Sequence, residues 1–190
     1  MNHTHTNRKA VVVNIVSGPG AGKTTLSALL FYHLKTLKVK CEYVQEFAKN
    51  LVWKKQYEQL NDQYYVSCQQ YLLFACLQNE VDVIVTDGSL LHGLYYNRYY
   101  ADNTSNIDKT ETMILDKFNE FDNYVCFLQR HPSIAYEKSG RYQTEAEAVA
   151  IDDKLREIMD QHNIKYTTIE ANMEIEQMLE LAKTIKEIIA

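Results

Sequence analysis

Glycine and proline are scarce in this chain, at six and two among 190 residues. That scarcity excludes a collagen-like or linker-rich chain, in which these two residues dominate. None of the four cysteines, Cys41, Cys68, Cys76 and Cys126, belongs to a C-x-x-C pair. A structural zinc site draws on closely paired ligands, and a chain of this length needs no disulfide staples. All four are therefore expected as reduced core thiols of a cytoplasmic protein. No apolar run approaches the about 18 residues of a membrane span. The first nine residues are polar and carry no apolar signal stretch. Residues 1–8 read as a flexible lead-in, with His3 and His5 inert rather than metal ligands. A strong excess of one charge is missing as well, since 20 basic residues face 25 acidic ones for a net −5. That balance argues against broad binding to nucleic acid or anionic membranes, and leaves room only for a local basic patch.

Hydrophobic residues make up 46% of the chain, which excludes intrinsic disorder. The length suits one domain with one core, taken as residues 1–190. Short β-branched runs alternate with helical stripes along it. Lys9–Val16, Cys41–Val44, Val81–Thr86, Tyr124–Leu128 and Lys165–Ile169 read as five strands. Leu26, Leu29, Leu30, His33, Leu34 and Leu37 stripe the first helix, with His33 expected as a packed core side chain. A helix is expected from about Phe47 to Gln56. Another is capped by Asp62 and carries Tyr65, Cys68, Leu72, Ala75 and Cys76 on its inner face. Ile114, Phe118 and Phe121 mark a further helix. Thr144 and Glu147 form a capping box for one running through Ile151, Leu155, Ile158 and Met159, and Ile175 to Ile189 closes the chain. This alternation predicts a three-layer, doubly wound α/β fold around a five-stranded parallel sheet.

Between the first strand and first helix lies Ser17-Gly-Pro-Gly-Ala-Gly-Lys-Thr-Thr25. It fits the phosphate-binding loop G-x-x-x-x-G-K-[ST] except that Ser17 replaces the first glycine. In such a loop the backbone amides surround phosphates, and the following helix adds unpaired N–H groups and a positive dipole end. Gly18, Pro19, Gly20, Ala21, Gly22, Lys23, Thr24 and Thr25 are thus the expected nucleotide-binding residues. Lys23 is assigned to the β- and γ-phosphates, and the Thr24 hydroxyl to Mg²⁺. The motif stands at a strand-to-helix junction, where a P-loop NTPase requires it.

The other motifs narrow the class. Neither N-K-x-D nor D-x-x-G, the marks of a GTPase, occurs. A motor or AAA-type ATPase calls for paired acids after a hydrophobic strand and for a longer chain. Here one acid, Asp87, ends the third strand in Asp87-Gly88. It is suited to hold Mg²⁺, with a plain turn as the alternative. Glu46 follows the second strand, and strand C-termini converge on one crevice in a doubly wound sheet. Glu46 is the first choice of general base, Asp87 the second, and a solvated helix-start glutamate the alternative reading of Glu46. Residues 129–143 carry Arg130, His131, Lys138 and Arg141 around Pro132 and Gly140. This stretch reads as a lid whose Arg130 and Arg141 meet phosphoryl oxygens, or else as an ordinary basic loop.

The order of P-loop, acid after strand two, Asp at strand three and arginine-bearing lid resembles the P-loop nucleoside and nucleotide kinases. Gly18 to Thr25, Glu46-Phe-Ala-Lys49, Val81 to Asp87 and Gly140-Arg-Tyr-Gln-Thr-Glu145 resemble the NadR-like kinases more narrowly. That group includes nicotinamide riboside kinases and small stand-alone proteins common in bacteriophages. The resemblance implies ATP, Mg²⁺ and phosphoryl transfer to a small nucleoside- or nucleotide-like acceptor, without fixing which one. Tyr95, Tyr96, Tyr99 and Tyr100 around Arg98 offer stacking surfaces and a phosphate partner, or simply helix packing. Two other readings stay open. One is a phage-type kinase acting on hydroxymethylated bases in DNA, and the other is a P-loop ATPase or nucleotide-binding switch. A monomer and a homodimer are both compatible with the sequence.

Overall fold

The computed structural model describes residues 9–132, 144–172 and 174–190. In chain order the elements are β1 (Val11–Val16), α1 (Lys23–Thr36), β2 (Cys41–Val44), α2 (Phe47–Lys54), α3 (Tyr57–Asn61) and α4 (Gln63–Ala75). They continue as β3 (Val83–Thr86), α5 (Leu90–Tyr99), α6 (Ile107–Phe118), β4 (Asp122–Gln129), α7 (Glu145–Gln161), β5 (Thr167–Glu170) and α8 (Ile175–Ile189). The five strands form one sheet in the order β2-β3-β1-β4-β5, and every neighbouring pair is parallel. The expected α/β architecture is present, with β1 at its centre.

Strand side chains alternate between two cores. Val12, Val16, Ile84, Val125 and Phe127 join residues of α4, α5, α6 and α7, including Phe74, Leu91, Ile114 and Leu155. Val11, Val13, Ile15, Val85 and Leu128 pack on the other face against Leu26, Leu30 and Leu34 of α1 and Met178 and Ile185 of α8. Each such buried aliphatic side chain contributes about 1.5–3 kcal/mol relative to exposure. A central parallel strand covered on both faces explains the unbroken apolar reading of β1.

The helix boundaries follow local chemistry. The Asp62 side chain accepts from the Tyr65 amide at 3.0 Å, capping α4. Thr144 and Glu147 complete the capping box of α7. The helix expected over 47–56 stops earlier, because Lys55 turns left-handed at φ 57° and a short α3 follows. The expected inner face of α4 is also wrong. Its buried residues are Gln63, Val66, Ser67, Gln70 and Phe74, whereas Leu72 and Cys76 are exposed and Cys68 is half-buried. A polar face turned inward defeats a reading that ranks positions by hydrophobicity. Cys41 and Cys126 are buried as expected, and burial pushes their thiols up to about 11 and about 12.

Candidate active site

The C-terminal ends of β1, β2 and β3 bring the P-loop, Glu46 and Asp87 to one crevice, as parallel strands direct. Gly20 and Gly22 adopt φ 79° and 92°, left-handed values that glycine takes without strain. Gly22 is the N-cap of α1, so the loop tightens and delivers Lys23 and Thr24 on the first helical turn. Lys23 Nζ donates to the carbonyls of Ser17 at 2.9 Å and Gly18 at 3.0 Å. Burial holds the Lys23 ammonium below its usual range, against the opposing pull of Glu46, Asp87 and Asp152.

Thr24 Oγ1 donates to Asp87 Oδ2 at 2.6 Å, while Asp87 Oδ1 accepts from the Glu46 amide at 3.1 Å. Asp87 is buried at 2% exposure, so it is more than a surface turn. The backbone at Gly88 passes so close that an added Cβ would lie 2.5 Å from Glu46 Cα. Glu46 is the N-cap of α2, and burial, then the Asp87 charge, raises its carboxyl above the usual range while Lys23 and Lys49 oppose this. Gln70 fixes the same corner, its Oε1 accepting from the Phe47 amide at 2.7 Å. The Tyr43 phenol is pushed up by burial and by the neighbouring Asp87 carboxylate.

Among the described residues, no cluster of three or more His, Cys, Asp or Glu is arranged to hold a metal. Mg²⁺ asks for less, commonly one or two protein oxygens beside phosphate oxygens. The Thr24 hydroxyl and Asp87 carboxylate are such a hard-oxygen pair, so these residues suit that ion.

A cavity of about 460 Å³ opens from this corner, within the range of small-molecule sites. The P-loop, Lys23, Thr24 and Glu46 line one part; Ser67 and Gln70 of α4, His92, Tyr95 and Tyr96 of α5 and Tyr100 line others. The inward polar face of α4 is therefore a cavity wall. Tyr99 instead lies on the surface. Arg98, offered by the sequence as a phosphate partner, turns away into a bidentate pair with Glu111 at 2.8 and 2.6 Å.

Arg130 lies against the P-loop. Its guanidinium donates to Asp152 Oδ2 at 2.5 Å and to the Pro19 carbonyl at 2.8 Å. Asp152 Oδ1 in turn accepts from the Gly18 amide at 2.5 Å. Arg141, Lys138 and most of the 129–143 lid lie outside the described residues. Sequence reasoning missed Asp152, His92 and the α4 glutamines. Asp152 had a signal, since it shares the buried stripe of Ala148, Leu155 and Met159, where a charge needs a partner.

A family model described as an AAA domain matches residues 12–176. No curated protein matches the sequence. Among solved structures, deoxyadenosine kinase from M. mycoides with bound products dCMP and dCDP is similar at TM-score 0.61 and 20% identity. That likeness covers 93% of this chain and 99% of the other. The same kinase with bound dATP gives 0.58 and 19%, over 93% and 99%. YorR protein from Bacillus subtilis, in complex with phosphorylated GDP, gives 0.57 and 17%, over 94% and 95%. No described helix is long and apolar enough to cross a membrane. That match names a domain family, and the distinction from motor and AAA-type ATPases drawn from the lone strand-end acid and the short chain concerns activity, which the match leaves untouched. With the fold of the P-loop kinases and a family match over most of its length, the chain belongs to the AAA-domain family.

Proposed function

We propose that this protein is a Mg²⁺-dependent ATP phosphotransferase with a nucleoside- or nucleotide-like small molecule as acceptor. The observation that carries the reading is the single cavity joining the P-loop and Glu46 to the polar and aromatic walls of α4 and α5. A donor phosphate at Lys23 and an acceptor against those walls would meet beside Glu46. Lys23 and the loop amides bind the nucleotide phosphates. Thr24 and Asp87 hold the metal, which when bound neutralises phosphate charge. Glu46, with its raised pKa, accepts the proton of the acceptor hydroxyl, and positioning with electrostatics supplies most of the rate. Arg130 and Arg141 neutralise charge on the transferred phosphoryl group.

Placement among the NadR-like kinases, as a single-domain cytoplasmic protein of the bacteriophage stand-alone kind, belongs to this proposal and rests on the motifs at 18–25, 46–49, 81–87 and 140–145. The deoxyadenosine kinase and YorR likenesses support a nucleotide acceptor or product at the level of fold. The test is an acceptor screen with labelled ATP over nucleosides, mononucleotides, nicotinamide riboside and hydroxymethylated DNA, with Lys23→Ala as control. Label transfer to a small nucleoside or nucleotide that vanishes in a folded Lys23→Ala protein is the expected result. Transfer only to DNA, or ATP hydrolysis without any acceptor, overturns it.

A further inference from the structure

His92 occupies the first turn of α5, only five residues beyond Asp87, and lines the same cavity as Ser17 and Lys23. The residue is 7% exposed, and neither Nδ1 nor Nε2 makes a well-aligned hydrogen bond, the nearby Ser17 backbone offering only a loose one. Leaving a buried polar group poorly paired costs about 1–3 kcal/mol, so an imidazole in the cavity wall without a well-formed partner points to a ligand. Burial, and then the nearby Lys23 charge, lowers its pKa to about 3, with the loose hydrogen bond to the Ser17 backbone opposing the shift. At neutral pH the ring is uncharged, with one N–H to give and one lone pair. It shares its part of the cavity with the lysine that faces phosphate and with the loop's first residue.

We propose that His92 is a binding residue for the terminal phosphate of the nucleoside triphosphate, donating its ring N–H to a phosphoryl oxygen beside Lys23. The proposal rests on the kinase reading above and adds to it a phosphate contact that the P-loop motif does not contain. A neutral donor beside a cation adds a hydrogen bond without adding repulsion toward Lys23. Because the terminal phosphate is present in ATP and absent in ADP, the contact discriminates between them.

The test is the affinity of parent, His92→Phe and His92→Asn for ADP and for the non-hydrolysable imido analogue of ATP, each with Mg²⁺. Phe fills the space without a donor, and Asn restores one. His92→Phe should bind the triphosphate roughly 10-fold more weakly or worse, the scale of a hydrogen bond to a charged group. ADP should stay within about twofold, and Asn should recover part of the loss. Equal losses for both nucleotides, or none, overturn the proposal. Should the Phe variant not fold, ring ¹⁵N resonances of His92 in the parent decide. They should shift with the triphosphate and not with ADP. A shift with adenosine alone assigns the ring to the acceptor side and overturns the proposal. Failure of the parent to bind either nucleotide overturns the kinase reading itself, whereas normal parent binding with unaffected variants overturns only His92.

Discussion

Asp87 bridges two parts of the site: one carboxylate oxygen accepts the Thr24 hydroxyl at 2.6 Å and the other accepts the Glu46 amide at 3.1 Å. The metal-side hydroxyl and the start of α2 are thereby fixed to the same side chain. Asp87→Asn keeps the shape but replaces one oxygen by a donor, which cannot accept from Thr24 or the amide and weakens any cation site. The Mg²⁺ midpoint for activity should move upward by about tenfold or more, with ATP affinity at saturating metal changed less. A metal titration of parent and variant reads this, and superimposable curves would remove Asp87 from the metal site.

Glu46 is held above the ordinary carboxylate range by burial and by Asp87. A base works only when deprotonated, so kcat should fall as pH drops through that raised value, giving an acid limb above the ordinary carboxylate range. Glu46→Gln should lower kcat by about 10²–10⁴-fold, leave nucleotide affinity near the parent's, and abolish the limb. A pH–rate profile of both proteins checks each part. An acid limb persisting in Glu46→Gln would move the base to Asp87.

The site was legible where chemistry follows spacing, and hidden where it depends on the far partner. Gly22-Lys23-Thr24 announces a loop because only glycine takes φ 92° before a helix without strain. Thr144 with Glu147 announces a helix start because the two groups satisfy each other locally. The inner face of α4 carries no such sign. Gln63, Ser67 and Gln70 recur at helical spacing, yet polar residues score as solvent-facing unless a cavity lies opposite. Arg98 misled for the converse reason, since Glu111 lies 13 residues away and its pairing is decided by how α5 packs on α6.

Gly88 tests the tightness of the Asp87 corner. A Cβ there would meet Glu46 Cα at 2.5 Å and Gln70 Oε1 at 2.9 Å, and the first of these is backbone. Gly88→Ala should therefore destabilise the fold by about 1–3 kcal/mol and shift Glu46. The urea midpoint should fall with an unchanged slope, and kcat should fall more than nucleotide affinity. A variant as stable and active as the parent would show that α2 yields freely.

His92 makes stability depend on acid in a defined window. Its folded-state value is about 3, against about 6.5 in an unfolded chain. Below 6.5 the unfolded chain takes up a proton that the folded one refuses, so the contribution present above 6.5 is lost as pH falls toward 3. The slope is at most about 1.4 kcal/mol per pH unit. Relative to His92→Phe, the parent should lose stability across that window and none above pH 7. Parallel urea-unfolding free energies for the two proteins between pH 4 and 7 would show that the ring protonates in place.

Arg130 and Asp152 separate a bracing role from a phosphoryl contact. The Asp152 carboxylate binds both the Gly18 amide and the Arg130 guanidinium, and it is nearly buried at 8% exposure against 21% for the arginine side chain. Asp152→Asn leaves that guanidinium with the Pro19 and Ala148 carbonyls but no countercharge. With the arginine partly solvated, the cost should be about 1–3 kcal/mol of stability, below that of a fully buried broken pair. If Arg130 only braces the P-loop through Asp152, Arg130→Ala and Asp152→Ala should reduce activity by similar factors, and the double variant should add little. If Arg130 also meets the transferring phosphoryl group, Arg130→Ala should cost about 10³-fold in kcat, well beyond Asp152→Ala. Arg130→Lys should then recover only part, because a point charge cannot copy the planar fork. The proposed role predicts the second pattern. Equal kcat losses in the two alanine variants would make Arg130 a strut of the loop rather than a participant in transfer.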